Sequence, residues 1–192
     1  MGKLPIYSCR KLDSSDLEKV IKWRMSSDVT KYMNTDPVLT LDGQTIWYNR
    51  LKDSCELYYW VVEVDSIPCG VINLADMDKQ NKRCTWGYYV AEKKLRSFDL
   101  ATSLEMSIYD YVFDVLGLNK ISGESFCQNV AAIKLHEFCG CKTEGVLRQH
   151  IFKNERFYDI CVQSMFAEDW KELRSCFEYQ HISFPCFLSK GL

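Results

Sequence analysis

The stretch Lys93-Lys94-Leu95-Arg96-Ser97-Phe98-Asp99-Leu100-Ala101 carries three basic side chains between a strand-like run and a long helical run. The first turn of a helix has unpaired amide N–H groups and the positive end of a dipole. Such a junction binds pyrophosphate if the backbone can come close, and Lys93, Lys94 and Arg96 add charge. Glycines usually provide that close approach, and none occurs between Gly87 and Gly117. The competing reading is an ordinary turn, with Asp99 capping the helix and the basic residues solvated. Further on, Asn129 and His136 stand seven residues apart, two helical turns, so both can face one cleft. An imidazole there gives or takes a proton near neutral pH.

Ten cysteines and three histidines raise the question of metal or disulfide chemistry. Cys139 and Cys141 are the only close pair, and no Cys-x-x-Cys occurs. His136 and Cys139 have helical i, i+3 spacing, but the histidines suggest no ligand set, so no metal is expected. Cys69, Cys84 and Cys161 lie in apolar or strand-like runs, where free cysteine behaves as a small buried hydrophobe. Reduced thiols are expected, in preference to a zinc module or a disulfide framework.

Several elements must position these groups. A short strand, LPIYSC, precedes a helix whose entry reads as a capping box of Ser15 and Glu18. Leu17, Val20, Ile21 and Arg24 share one face of that helix. The piece SDVTKYM follows, Pro37 punctuates, and Thr40 opens a helix with Trp47 and Leu51 at i, i+4. LYYWVVEV, CGVINLAD and RCTWGYYVA read as an antiparallel meander, the first turn being DSIP. A helix from about Leu100 to Leu116 is closed by Gly117 as a left-handed cap, with Leu118 free to pack back. The strand NKISGESF comes straight after, so strand–helix–strand implies a right-handed crossover to a parallel neighbour. The helix VAAIKLHEF ends at Gly140, and EGVLRQHIF and RFYDICVQSMF form a hairpin around KNE. The predicted fold is α/β (α+β): a mixed central sheet with one parallel crossover and a C-terminal hairpin. Residues 1–174 are expected to form one domain. Residues 175–192, without a clear period, are a packed extension or a loose tail.

At 192 residues the chain suffices for one domain with a substantial core. A net charge of −2 gives no strong pull towards nucleic acid or an anionic membrane, so neither is an expected partner. No apolar run reaches the roughly 20 residues of a membrane span. The N-terminus MGKLPIYSCRKLD lacks a signal-peptide core, and a cytoplasmic location is expected.

Three segments together resemble the GNAT-type N-acetyltransferases. That family closes on the coenzyme A pyrophosphate with Gln/Arg-x-x-Gly-x-Gly/Ala. Here the motif stands as Arg96-Ser97-Phe98-Asp99-Leu100-Ala101, with Arg96 and Ala101 matching and Asp99 in place of the central glycine. CTWGYYV is similar to the strand that pairs with the pantetheine arm. NVAAIKLHEFCGCKTEGVLRQHI keeps Asn129, Ala132, Glu137, Gly140, Glu144 and Gly145 in the family's register, with Cys141 replacing the usual aromatic. The resemblance covers roughly residues 5–170 and extends to the ribosomal-protein and spermidine acetyltransferase-like branch. Closer still are the nucleotide-sugar N-acetyltransferases of pseudaminic acid biosynthesis, through KWRMSSDVTKYMNTDP and RQHIFKNERFYDICVQSM.

The resemblance implies direct acetyl transfer from acetyl-CoA to a primary amine, with no acyl-enzyme and no cysteine nucleophile. The acceptor implied is the 4-amino group of a UDP-linked 4-amino-4,6-dideoxy sugar, from a pathway supplying flagellin glycans. Expected cofactor contacts are Trp86, Tyr88 and Val90 on the strand, Arg96, Ser97, Phe98, Asp99, Leu100 and Ala101 at the junction, and Asn129 and Ala132 beyond. Many relatives protonate the departing thiolate with a tyrosine where His136 stands, and imidazolium suits the same task. Asn129 bonds the pantetheine or a water in this reading, or simply caps its helix. Glu124, Glu63 and Asp76 are the candidate bases. Arg24, on the apolar side of its helix, suits a diphosphate bidentately, or else braces acidic neighbours. Met33, Trp47 and Tyr89 form an apolar wall of the expected acceptor site or else belong to the core, and Gln44 is a further candidate there. A homodimer is an assembly left open. The rivals are a polyamine or protein N-terminus as acceptor, and a non-catalytic binding protein of the same fold. Asp99 favours the last, because a carboxylate roughly 4–5 Å from pyrophosphate repels it by something on the order of several kcal/mol in a partly buried site.

Overall fold

The computed structural model describes residues 4–54 and 57–186. Its layers follow from strand β2 (Tyr58–Val64), where apolar side chains point both ways. Trp60 and Val62 enter a core with Leu100, Leu104 and Ile108, whereas Val61 enters a second core with Leu17, Val20, Trp23 and Leu51. A strand covered on both faces reads as a continuous apolar run, which is what YWVV is.

The other strands are β1 (Tyr7–Lys11), β3 (Ile67–Asp78), β4 (Arg83–Val90), β5 (Lys120–Phe126), β6 (Lys142–Lys153) and β7 (Arg156–Phe166). Their order across one sheet is β1-β2-β3-β4-β5-β7-β6. Every pair is antiparallel except β4 with β5, which is the predicted parallel crossover. Helices α1 (Leu17–Arg24) and α3 (Leu41–Asp53) supply the second core, and α4 (Phe98–Asp110) supplies the first. The short α2 (Ser27–Thr30) follows α1, α5 (Val130–Phe138) lies between β5 and β6, and α6 (Ala167–Leu173) follows β7.

Three boundaries differ from the sequence reading. The capping box before α1 is Asp13 with Asp16, not Ser15 with Glu18. Asp16 is held by both terminal nitrogens of Arg10 on β1, at 2.7 Å each, and this long-range clamp chooses the box. Helix α4 starts at Phe98, two residues early, because Ser97 Oγ accepts the Leu100 amide at 3.1 Å. Its last turn, Tyr111–Val115, widens into a π-helix before Gly117 (φ 65°) closes it. Leu118 then packs back, its N–H reaching the Val112 carbonyl at 3.1 Å.

The described part of the C-terminal stretch is packed. Ile182 and Phe184 are buried in the first core, and the Phe184 ring meets Trp60 edge-on at 5.0 Å. The Tyr179 hydroxyl donates to buried Asp110 at 2.6 Å, and the Trp60 indole N–H donates to the Pro185 carbonyl at 3.1 Å. Cys9, Cys69, Cys84, Cys139, Cys141 and Cys161 are free and buried. Cys55 lies outside the described residues. Among the described residues no helix is long and apolar enough to cross a membrane.

Candidate active site

Strands β4 and β5 pair over only three positions, Arg83 with Lys120, Cys84 with Ile121 and Thr85 with Ser122. Beyond them the strands diverge, and a cavity of about 340 Å³ opens between Trp86–Val90 and Gly123–Ser125. The edge of β4 that faces β5 is unpaired there, so its peptide groups are available to an extended ligand arm. Two glycines make this geometry. A Cβ on Gly123 lies 2.8 Å from the Trp86 indole nitrogen, and one on Gly70 lies 2.1 Å from the Tyr89 carbonyl oxygen. Neither neighbour has room for a side chain.

Trp86, Tyr88, Val90, Arg96, Asn129, Ala132 and His136, all anticipated from sequence, line this cavity. Asn129 does two things: it faces the cavity and its Oδ1 accepts the Ala132 amide at 3.4 Å as the cap of α5. The junction is more varied. Arg96 donates to the carbonyls of Val90 at 2.7 Å and Ala91 at 3.2 Å, so its fork ties α4 to the end of β4. Leu100 is fully buried and its amide goes to Ser97, so it serves the core and cannot touch a ligand. The Ala101 amide is also spent, on the Ser97 carbonyl at 3.2 Å. Phe98 and Asp99 are exposed in the first turn, and their amides have no partner among the described residues. Asp99 does not cap α4; Ser97 does. Its carboxylate stays in solvent, where water screens its repulsion of an anion. The junction retains two open first-turn amides and the exposed Lys94, a fit for a pyrophosphate.

A second cavity of about 470 Å³ adjoins the first, and Arg24, Met33, Gln44, Trp47 and Tyr89 all line it. Tyr32, Met33, Gly87, Tyr88, Tyr89 and Glu124 line both, so the two spaces meet over the middle of β4. Arg24 contacts Met33 Sδ and has no carboxylate partner among the described residues, so it braces no acidic neighbour. Trp47 stands edge-on to Tyr59 at 5.1 Å. Burial pushes the Tyr59 and Tyr89 phenols up despite the opposing charge of Arg24, so both stay neutral.

Of the candidate bases, Glu124 is the one in place. It is exposed on β5 at the meeting of the cavities. Glu63 lines neither cavity and accepts from Arg10 Nε at 2.8 Å. Asp76 also lines neither, and accepts from Thr85 Oγ1 at 2.8 Å.

Behind His136 lies a group that sequence reasoning missed. Glu105 on α4 has no solvent exposure, and its two oxygens stand 3.0 and 2.9 Å from His136 Nδ1. The Tyr109 hydroxyl donates to the same carboxylate at 2.5 Å. A signal was present: from Ser97 to Asn119 the chain has no Lys or Arg, which is unusual for a helix with a solvated face.

Residues 9–142 match the acetyltransferase (GNAT) domain, and the chain belongs to that family. It is an acetyl-CoA-dependent N-acetyltransferase with the mixed seven-stranded fold described above. Among its relatives, a spermidine N(1)-acetyltransferase of Vibrio cholerae is 26% identical over 153 residues, covering 79% of this chain and 87% of that one. The acetyltransferase PseH of Campylobacter jejuni is 27% identical over 155 residues, covering 79% and 88%. The crystal structure of a Vibrio cholerae spermidine N-acetyltransferase with CoA and spermine superposes with a TM-score of 0.81 at 22% identity, over 86% of this chain and 98% of that one.

Proposed function

We propose that the cavity between β4 and β5 takes the acetyl-CoA arm and that the second cavity takes a primary amine on a phosphate-bearing small molecule. The most specific acceptor is the 4-amino group of a UDP-linked 4-amino-4,6-dideoxy sugar. One observation carries this reading: a guanidinium with no carboxylate partner among the described residues, Arg24, lines the second cavity, and that cavity has a carboxylate, Glu124, at the meeting point. An acceptor that suits this pair presents an amine to Glu124 and an anion to Arg24. Met33 and Trp47 offer an apolar wall for a deoxy-sugar methyl group.

In this reading the N–H groups of Trp86–Val90 that point away from β3, towards β5, hold the arm and polarise the thioester carbonyl. Glu124 takes a proton from the amine, directly or through water. His136 gives a proton to the departing sulfur. Replacing it with alanine lowers kcat by about 10²-fold or more, the usual worth of a general acid, while acetyl-CoA still binds.

A polyamine acceptor is the second reading, favoured by the spermidine acetyltransferase among the relatives. A polycation suits a site with several carboxylates, and Glu124 is the one acidic side chain lining the second cavity. Thiol release from acetyl-CoA, measured with a UDP-linked amino sugar, spermidine and an N-terminal peptide, separates them. A higher kcat/KM for spermidine overturns the nucleotide-sugar reading.

A further inference from the structure

We propose that Glu105 is a positioning residue for the reaction: its buried carboxylate holds the Nδ1–H of His136 and presents Nε2 to the cavity. This rests on the reading of His136 as the acid. The Glu105 side chain is fully enclosed, whereas the His136 side chain is 12% exposed and lines the cavity. Both carboxylate oxygens lie within 3.0 Å of Nδ1. Nε2 has no partner among the described residues. A histidine whose Nδ1 is held by a carboxylate has its tautomer and ring orientation set by that bond.

The surroundings leave Glu105 few ways to be neutralised. From α4, Tyr109 donates its hydroxyl to Glu105 and lies 3.0 Å from Cys141 Sγ. From β4, Trp86 stacks edge-on to the imidazole at 5.1 Å, and Tyr88 lies near the carboxylate. From the end of α5 and the start of β6 come Cys139 and Cys141. Burial first, then the charge of Glu105, pushes Tyr88, Tyr109 and both thiols up, Cys141 to about 12. All four are therefore neutral hydrogen-bonding groups at working pH. Lys134 and Glu137 are on the exposed side of α5, and Glu124 is across the cavity on β5. Among the described residues, His136 is the basic side chain that reaches this buried carboxylate, and a buried carboxylate without a partner is strongly disfavoured.

The proton bookkeeping closes. The amine nitrogen bonds to the acetyl carbonyl carbon and loses one proton to Glu124 or water. The carbon–sulfur bond breaks with its electron pair on sulfur, and Nε2 gives sulfur its proton. The neutral imidazole keeps Nδ1–H on Glu105, so the carboxylate still has two donors, and Nε2 is reprotonated from solvent. Amine and thioester become amide and thiol.

The test is Glu105→Gln in the full chain, with kcat followed against pH using whichever amine turns over fastest. The substitution removes the negative charge that stands beside the imidazole. The expected result is an alkaline limb of kcat lowered by about one pH unit and a kcat down about tenfold near neutrality, with the acetyl-CoA KM within about twofold. An unmoved limb overturns the proposal. Should that variant not fold, ¹⁵N NMR of the wild-type histidines gives the answer: a neutral His136 imidazole bearing its proton on Nδ1 is the expected result. A neutral form protonated on Nε2 overturns it. If His136→Ala keeps its kcat, the acid assignment itself falls. If His136→Ala loses kcat and the Glu105→Gln limb stays put, only the role of Glu105 falls.

Discussion

Replacing Lys153 with methionine cuts a clasp between the hairpin and the acceptor wall. Lys153, at the end of β6, is only 8% exposed at its side chain. Its ammonium donates to the carbonyls of Thr30 at 2.7 Å and Met33 at 2.9 Å and pairs with Asp36 at 2.8 Å. Asn154, next in the turn, donates to the other Asp36 oxygen at 3.1 Å. Asp36 is exposed and resolvates when the lysine is lost, but Thr30 is buried, and its carbonyl is left with the Met33 amide at 2.9 Å as its one donor among the described residues. Hydrogen bonds from a charged donor are worth about 1.5–3 kcal/mol each. With water replacing part of the Met33 bond, the net loss is about 2–4 kcal/mol. For a chain of this length that lowers Tm by roughly 5–15 °C, readable by calorimetry. The segment so released carries Tyr32 and Met33, which line both cavities, and Asn34 and Thr35, which line the second. Loosening it costs the acceptor about 1 kcal/mol, a rise in its KM of about fivefold, larger than the rise for acetyl-CoA. A Lys153→Met protein with Tm within about 2 °C of wild type and an unchanged acceptor KM refutes the clasp.

Two further perturbations probe other parts of the scaffold. Gly70→Ala forces the backbone of β4 at Tyr89 and Val90 to move, since the added Cβ is 2.1 Å from the Tyr89 carbonyl oxygen. It is expected to destabilise by about 1–3 kcal/mol and weaken acetyl-CoA binding by calorimetry; wild-type values for both show that β4 has the slack denied here. Asp16 gives a pH signature. Burial raises its pKa, but the Arg10 fork and the Asp13 amide outweigh that and bring it below 3.8. A depressed carboxylate stabilises the fold above its unfolded pKa and stops doing so as pH falls through the folded value. The stability gap between wild type and Asp16→Asn is therefore expected to be full at about pH 7 and to close once pH has fallen through the lowered folded-state pKa. A gap equally wide above and below that pKa, by denaturant titration, refutes it.

Much of the scaffold was legible because its causes are local. The aromatic and β-branched character of LYYWVVEV, CGVINLAD and RCTWGYYVA belongs to the chain itself, as does the strand–helix–strand rhythm with Gly117 closing its helix. Cap choice was less legible. Ser97 and Asp99 can both cap, and Ser97 wins because Arg96 is tied to the end of β4, which fixes where the helix must begin. The Ser15–Glu18 box lost to Asp13–Asp16 for the same kind of reason, through Arg10.

The sequence by itself determined the family, the order of the elements and many of the polar and aromatic side chains that line the two cavities, because motif residues and periodicity are written along the chain. Only the tertiary structure decided what those side chains can do. Divergence of β4 from β5 after Thr85 and Ser122 creates the cavity, and no periodicity records where two distant strands part. Burial of Glu105 depends on α5, β4 and the start of β6 closing around α4, so a residue that reads as a solvated glutamate stands behind His136. The described part of the C-terminal stretch, without a period of its own, is placed by contacts with Trp60 and Asp110 far back in the chain. Charge, burial and hydrogen bonding are properties of neighbours, and folding chooses the neighbours.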